Sequence, residues 1–219
     1  MTATPIPRTL TFAIHGDMDL SWIDEQPSNR LPIETSIIDS SNINMVYEKM
    51  KSEMNKGRFC FIVFPIIQES DKIDAKDAET AYHKFTNKIF IDYSLGFLHG
   101  KLKKEEKKEL MDRVNNGDIQ CLVSTTVVEV GINNPNATIM VIENSERFGL
   151  TQLHQLRGRV GRGKYQSFCY LIQRKKTEDS IKRLNIIENT LDGFKISDED
   201  LKLRGPGEFF GTKQHGYVP

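Results

Sequence analysis

The chain has 219 residues, 38% hydrophobic and 27% charged, ordinary proportions for one large globular domain or one domain with an appendage. Thirty Lys and Arg balance thirty Asp and Glu, so bulk charge argues for no nucleic-acid partner and any basic face must be local. No run approaches the roughly 18 apolar residues of a membrane span, and "MTATPIPRTL" does not read as a secretory leader.

Residues 1–30, punctuated by Pro5, Pro7 and Pro27, read as an extended linker leaving an upstream domain. "IETSIID" (33–39) predicts a strand. A helix follows through "NINMVYEKMKSEMNKG", with Ile43, Val46, Met50 and Met54 on one face and Gly57 as its stop. "FCFIVFP" (59–65) predicts a fully buried strand, and "AKDAETAYHKF" a helix. "LGFLHG" (95–100) predicts a strand running into the helix "KKEEKKELMDRVNNG", which turns Leu110, Met111 and Val114 inward. "IQCLVST" (119–125), "ATIMVIE" (137–143) and "SFCYLI" (167–172) predict three more strands. Strands alternating with helices at this spacing imply an α/β fold, a mostly parallel sheet covered on both faces. After Arg174 the pattern changes to a helix with Ile181, Leu184 and Ile187 on one face and a stop at Gly193, then a short helix and a Gly/Pro-punctuated tail. This predicts a helical hairpin plus a loop.

Cys60, Cys121 and Cys169 all fall within apolar strand segments, and an odd count without a C-x-x-C pair predicts inert core thiols. In open parallel sheets ligands bind beyond the carboxyl ends of the strands. "STTVVEVGINNP" (124–135) follows one such end, and its hydroxyls at Ser124, Thr125 and Thr126 suit phosphate contacts as readily as they suit a turn cap. "QLHQLRGRVGRG" (152–163) follows another, with Arg157, Arg159 and Arg162 set among Gly158, Gly161 and Gly163. Helix-interior glycines cost about 1 kcal/mol each against alanine, so these predict close approach of one packed backbone to another. Were 152–162 a helix, Arg159 and Arg162 would share a face and converge with Gln155 on a triphosphate, while Arg157 pointed elsewhere. "GFLHGKL" (96–102) is not a Walker A phosphate loop: it has one residue too few between its glycines, and Leu102 stands where the metal-binding hydroxyl belongs. The sequence therefore predicts no self-sufficient ATPase. The "KKEEKKE" run (103–109) reads as a solvated helix face.

"QLRGRVGR" fits the Q-x-x-G-R-x-G-R pattern of superfamily 2 helicases, and "TATPIPR" and "TTVVEVGIN" resemble their inter-lobe coupling motif and the motif preceding the arginines. "GDMDLSWIDEQPSNRLPIET", "LHGKL" and "DGFKISDEDLKLRGPGEFFGTKQHG" narrow the resemblance to the RecG family of branched-DNA helicases; the transcription-repair coupling factor Mfd is the next nearest. The resemblance implies a linker with the coupling motif at 1–30, the second RecA-like lobe at 31–175, and a translocation hairpin and loop at 176–219. A wedge domain and a first lobe holding ATP and Mg²⁺ would precede Met1. It also implies residue roles. Arg159 and Arg162 are arginine fingers reaching the γ-phosphate, and Gln155 orients the phosphate or the attacking water. Gly131 and Asn133 lie at the nucleotide, although Asn133 departs from the usual Asp. Thr125, Thr126, His99 and Gly100 face DNA; for His99 a purely structural role is equally open. Thr2, Thr4, Arg183, Arg204 and Gln214 couple hydrolysis to movement; Arg204 is also placed to pair with Asp198 or Glu199. No metal ligand is assigned. The implied partners are forks and Holliday junctions, with no membrane contact, a monomeric state and a bacterial cytoplasmic, nucleoid-associated location. Two alternatives remain open at this point: a polymerase-displacing translocase and a non-catalytic DNA-binding module.

Overall fold

Each apolar segment of the sequence needs cover on two sides, and the fold supplies it. The computed structural model describes residues 31–65, 72–125 and 134–204, apart from the side chains of residues 72–76 and Arg204. In chain order the strands are β1 (Glu34–Asp39), β2 (Phe59–Phe64), β3 (Leu95–Leu98), β4 (Cys121–Thr125), β5 (Ala137–Ile142) and β6 (Phe168–Gln173). The helices are α1 (Ile43–Asn55), α2 (Lys72–Lys84), α3 (Lys104–Asn115), α4 (Leu150–Arg157), α5 (Glu178–Asn189) and α6 (Gly193–Arg204). Every strand pairing is parallel, and the six strands lie in the order β1-β6-β5-β2-β4-β3.

Helices cover both faces of the sheet. Val46, Met50 and Met54 of α1 and Ala78 of α2 pack with Cys60, Ile62, Val123 and Val141. On the opposite face Val114 of α3, Leu150, Leu153 and Leu156 of α4, Leu184 and Ile187 of α5 and Ile196 of α6 pack with Phe61, Val63, Leu122 and Met140. Covered twice, β2 has no solvated side, which is why "FCFIVF" is apolar throughout. The three cysteines are free and buried, as their strand contexts predict. Among the described residues no helix is long and apolar enough to cross a membrane.

The secondary structure differs from expectation at three places. The chain leaves α2 through a π turn at Phe85–Ile89, which seats Phe85 in the core. Gly193 does not stop a helix but opens α6: α5 ends at Asn189, and the Asp192 carboxylate then accepts from the backbone N–H of Phe194 (2.9 Å) and Lys195 (3.4 Å), capping the next helix. The described part of 176–204 shares the sheet's own core through Leu184, Ile187 and Ile196, so the core has no break at residue 175. The third difference, at Gly158, belongs to the site.

Candidate functional site

The carboxyl edge of the sheet brings together residues far apart in sequence. Strand β3 pairs with β4 so that Leu98, the residue before His99, lies opposite Ser124, the residue before Thr125. Strands lie about 4.8 Å apart, so His99 and Thr125 both stand at the carboxyl end of one strand pair. Thr125 and Ser124 are fully buried, and neither hydroxyl has a hydrogen-bond partner among the described residues. His99 is half-buried and Gly100 exposed. Burial holds the His99 imidazole below its ordinary pKa; Glu79 pulls upward and Lys101 downward.

Further along this edge, Glu143 is buried at the end of β5 and accepts from Arg174 Nη2 (2.9 Å) and Nε (3.3 Å). Burial pushes its carboxyl upward in pKa, and Arg174 opposes that shift. The Glu146 carboxylate accepts from the backbone N–H of Arg174 (3.2 Å) and Lys175 (3.1 Å), while Arg183 Nη2 donates to the Glu146 carbonyl (3.4 Å). Arg183 thus ties α5 to the turn that precedes α4.

The arginines lie at the other end of the sheet. Helix α4 carries the chain back from the carboxyl edge and ends at Arg157, so the expectations that 152–162 is one helix and that the arginines sit beyond the strand ends are both corrected. Gly158 caps the helix, the turn continues through Arg159 and Val160, and the Gly161 N–H reaches the carbonyl of Ala137 at the start of β5. The glycines have distinct reasons. Gly161 has φ +71°, a left-handed conformation that glycine adopts without strain. At Gly163 a Cβ would lie 2.1 Å from the Pro135 carbonyl oxygen, so only glycine allows this contact. Val160 is buried and anchors the turn.

Arg162 is exposed and donates from Nε to the Gly158 carbonyl (3.1 Å), closing the turn on itself. Arg159 is half-buried and Gln155 exposed on the last turn of α4. The two arginines therefore reach solvent from a rigid turn rather than from a helix face. An open cleft of about 440 Å³ adjoins this edge, lined by Arg58, Asn115, Asp118, Gln120, Asn134 and Asn136 among others.

Arg157 does point elsewhere, and its role was not legible. It is 2% exposed. Nη1 donates to the Ile187 carbonyl (2.5 Å), near the carboxyl end of α5, and Nη2 lies 3.0 Å from His154 Nδ1. Arginine only donates, so Nδ1 must accept and His154 is neutral with its proton on Nε2. Burial, then the Arg157 charge, pushes the His154 pKa down to about 4. A second unforeseen group is Glu53, buried at the end of α1. Burial pushes its carboxyl up, but hydrogen bonds from Lys56 (2.9 Å) and Arg58 outweigh this and hold it below the usual value. Arg58 also sits over the Tyr165 ring (4.3 Å), bracing the segment that follows the arginine turn. A charged residue at a helix end beside a glycine turn was the sole sequence hint.

Thr2, Thr4, Thr126, Gly131, Asn133 and Gln214, and the side chain of Arg204, lie outside the described residues.

The model for the helicase conserved C-terminal domain matches residues 41–164, more than half of the chain. The chain belongs to that family. It is similar to the ATP-dependent DNA helicase RecG of Synechocystis sp. (52% identity over 216 residues, 99% of this chain and 26% of the relative). RecG of Thermotoga maritima is 49% identical over 99% of this chain and 28% of its own length. Among solved structures, RecG bound to a three-way DNA junction aligns with all of this chain and 28% of its own, at TM-score 0.79 and 44% identity. S. cerevisiae Dbp5 bound to RNA and ADP BeF3 shares the fold alone (TM-score 0.60, 15% identity, covering 93% of this chain and 54% of that one). The RecA-like α/β architecture expected from the motifs is the architecture found. The chain spans between about a quarter and a third of the length of the curated relatives it matches.

Proposed function

We propose that this chain is the second motor lobe of an ATP-dependent translocase that remodels branched double-stranded DNA, regressing stalled forks and branch-migrating Holliday junctions. One observation carries the reading: the arginine turn and the end of the β3–β4 pair that bears His99 and Thr125 occupy opposite ends of one parallel sheet. A five- or six-residue strand spans roughly 15–20 Å. One rigid lobe can therefore meet a nucleotide-bearing partner at its amino edge while it grips DNA at its carboxyl edge. Similarity to RecG along the whole chain supports the same assignment.

In this reading Arg159 and Arg162 reach across the lobe cleft and stabilise charge on the γ-phosphate of ATP, with Gln155 orienting the phosphate or the attacking water. Gly131 and Asn133 contribute the nucleotide-side contacts of this lobe; Asn133 can donate to or accept from a ribose hydroxyl, where an Asp only accepts. Mg²⁺, when bound, neutralises phosphate charge. In this reading the first lobe holds most of the contacts to the ion. Thr125, Thr126, His99 and Gly100 contact the DNA backbone. Thr2, Thr4, Arg183, Arg204 and Gln214 transmit closure to the hairpin, and a wedge domain of the same monomeric, bacterial cytoplasmic, nucleoid-associated enzyme splits the arms.

The test is fork-stimulated ATP hydrolysis by the intact enzyme. Arg162→Ala lowers turnover on the order of 10³-fold and leaves fork binding intact. Equal loss of binding and hydrolysis would refute the finger assignment. The 219-residue chain by itself shows no turnover.

A further inference from the structure

His99 does not stand alone at the carboxyl edge. Phe97 of β3 and His99 just beyond the strand's end have their rings 4.9 Å apart. Tyr82 of α2 stacks on Phe97, with centroids 5.1 Å apart and planes 15° apart, and its hydroxyl donates to the Leu95 carbonyl (3.4 Å). The three rings form a continuous half-exposed ladder that climbs β3 and ends at the loop. Leu95 and Leu98 are the buried side chains of β3; Phe97 and Tyr82 pack against the same core but stay partly exposed, which leaves their rings free to reach the loop.

We propose that Tyr82 and Phe97 are positioning residues that hold the His99 ring at the carboxyl edge as a preset contact for a DNA phosphate. This rests on the assignment of the carboxyl edge to DNA. A loop histidine otherwise loses side-chain freedom on binding, and the ladder removes that cost beforehand. It also covers the imidazole. The charged groups that act on His99 are Glu79 of α2, Lys101 of the loop, and Glu106 and Lys107 of α3, and the ring against it is Phe97. Burial, the largest effect, disfavours the imidazolium. The ring therefore meets a phosphate as a neutral donor at pH 7 and as a cation in acid.

The experiment measures binding of the intact enzyme to a synthetic three-way DNA junction, without nucleotide, from pH 5.0 to 8.0 and at several salt concentrations. In the parent, Kd tightens several-fold in acid, and the salt dependence steepens by about 0.9 in log–log slope, the release expected for one further phosphate contact. His99→Gln removes both changes. Phe97→Leu and Tyr82→Leu keep them but move the midpoint upward toward the ordinary histidine value of about 6.5; Tyr82→Phe, which retains the stack, leaves the midpoint unmoved. If His99→Gln acts as expected while Phe97→Leu leaves the midpoint in place, the ladder is packing and the inference falls, though the DNA-facing edge stands. If His99→Gln binds like the parent at every pH and salt, the inference and the DNA assignment of this edge fall together.

Discussion

Arg157→Met separates a structural arginine from its two neighbours in the same motif. Methionine matches much of the length and fills the space with apolar atoms, so no large cavity opens. What is lost is specific. The Ile187 carbonyl lies within the last turn of α5, among the four carbonyls that have no helical partner, and Arg157 satisfies it. Leaving a buried acceptor unpaired costs about 1–3 kcal/mol. Removing a cation from a helix carboxyl end costs about a further 0.3–1 kcal/mol. Relief of burying a guanidinium, whose pKa burial lowers, offsets part of this. The net expectation is about 2 kcal/mol of destabilisation. For a chain of this size that is a fall of about 4–8 °C in melting temperature. Thermal unfolding followed by circular dichroism measures it, with Arg162→Met as control. Arg162 is exposed, and its replacement stays within about 0.5 kcal/mol. An Arg157→Met melting temperature within a degree of the parent would refute the clamp, and an equal fall in Arg162→Met would refute the division of labour between the two.

Gly163→Ala forces a methyl to within 2.1 Å of the Pro135 carbonyl oxygen, so the two backbones must separate; overpacking of this kind costs about 1–3 kcal/mol, and an unchanged unfolding midpoint in denaturant would count against the close approach. His154 has a folded pKa of about 4, below its ordinary value, so the unfolded state binds more protons between the two. Its contribution is complete above about pH 6.5 and is lost as pH falls toward 4; His154→Gln flattens the acid limb of a stability–pH curve, and an identical limb would show that the ring is not held neutral. In the intact enzyme Gln214→Ala preserves fork-stimulated ATP hydrolysis and lowers fork regression at least tenfold, measured side by side. Survival of both activities would withdraw the coupling role from the tail.

Local chemistry made most of the elements readable. "FCFIVF" and "ATIMVI" are apolar without alternation and so demand cover on two faces, and the helices between them show a single apolar stripe; both point to a parallel sheet between helix layers. The glycines around Arg159 and Arg162 announced a tight approach, and Gly163 against Pro135 is that approach. The arginine motif is equally local, because three guanidiniums among glycines are unusual whatever surrounds them. Where these features stand in space was another matter. The α4 carboxyl end was misplaced because Gly158 in a helical conformation leaves no mark that separates a cap from a helix interior. The start of α6 was missed because Asp192 caps it through a side-chain oxygen that "LDGF" offers equally to a turn.

Only the tertiary structure decided that β2 lies between β4 and β5, that His99 and Thr125 stand at the same end of adjacent strands, and that the arginines occupy the opposite edge from both. It alone turned Arg157 inward onto α5, where its partners are a carbonyl thirty residues away and a neutral histidine. The reason is physical. Strand order and side-chain pairing are settled by contacts between segments distant along the chain, and their free energies depend on which surfaces remain to be buried once neighbours have docked. Periodicity reports which face of an element must be covered; it carries no information about which element covers it.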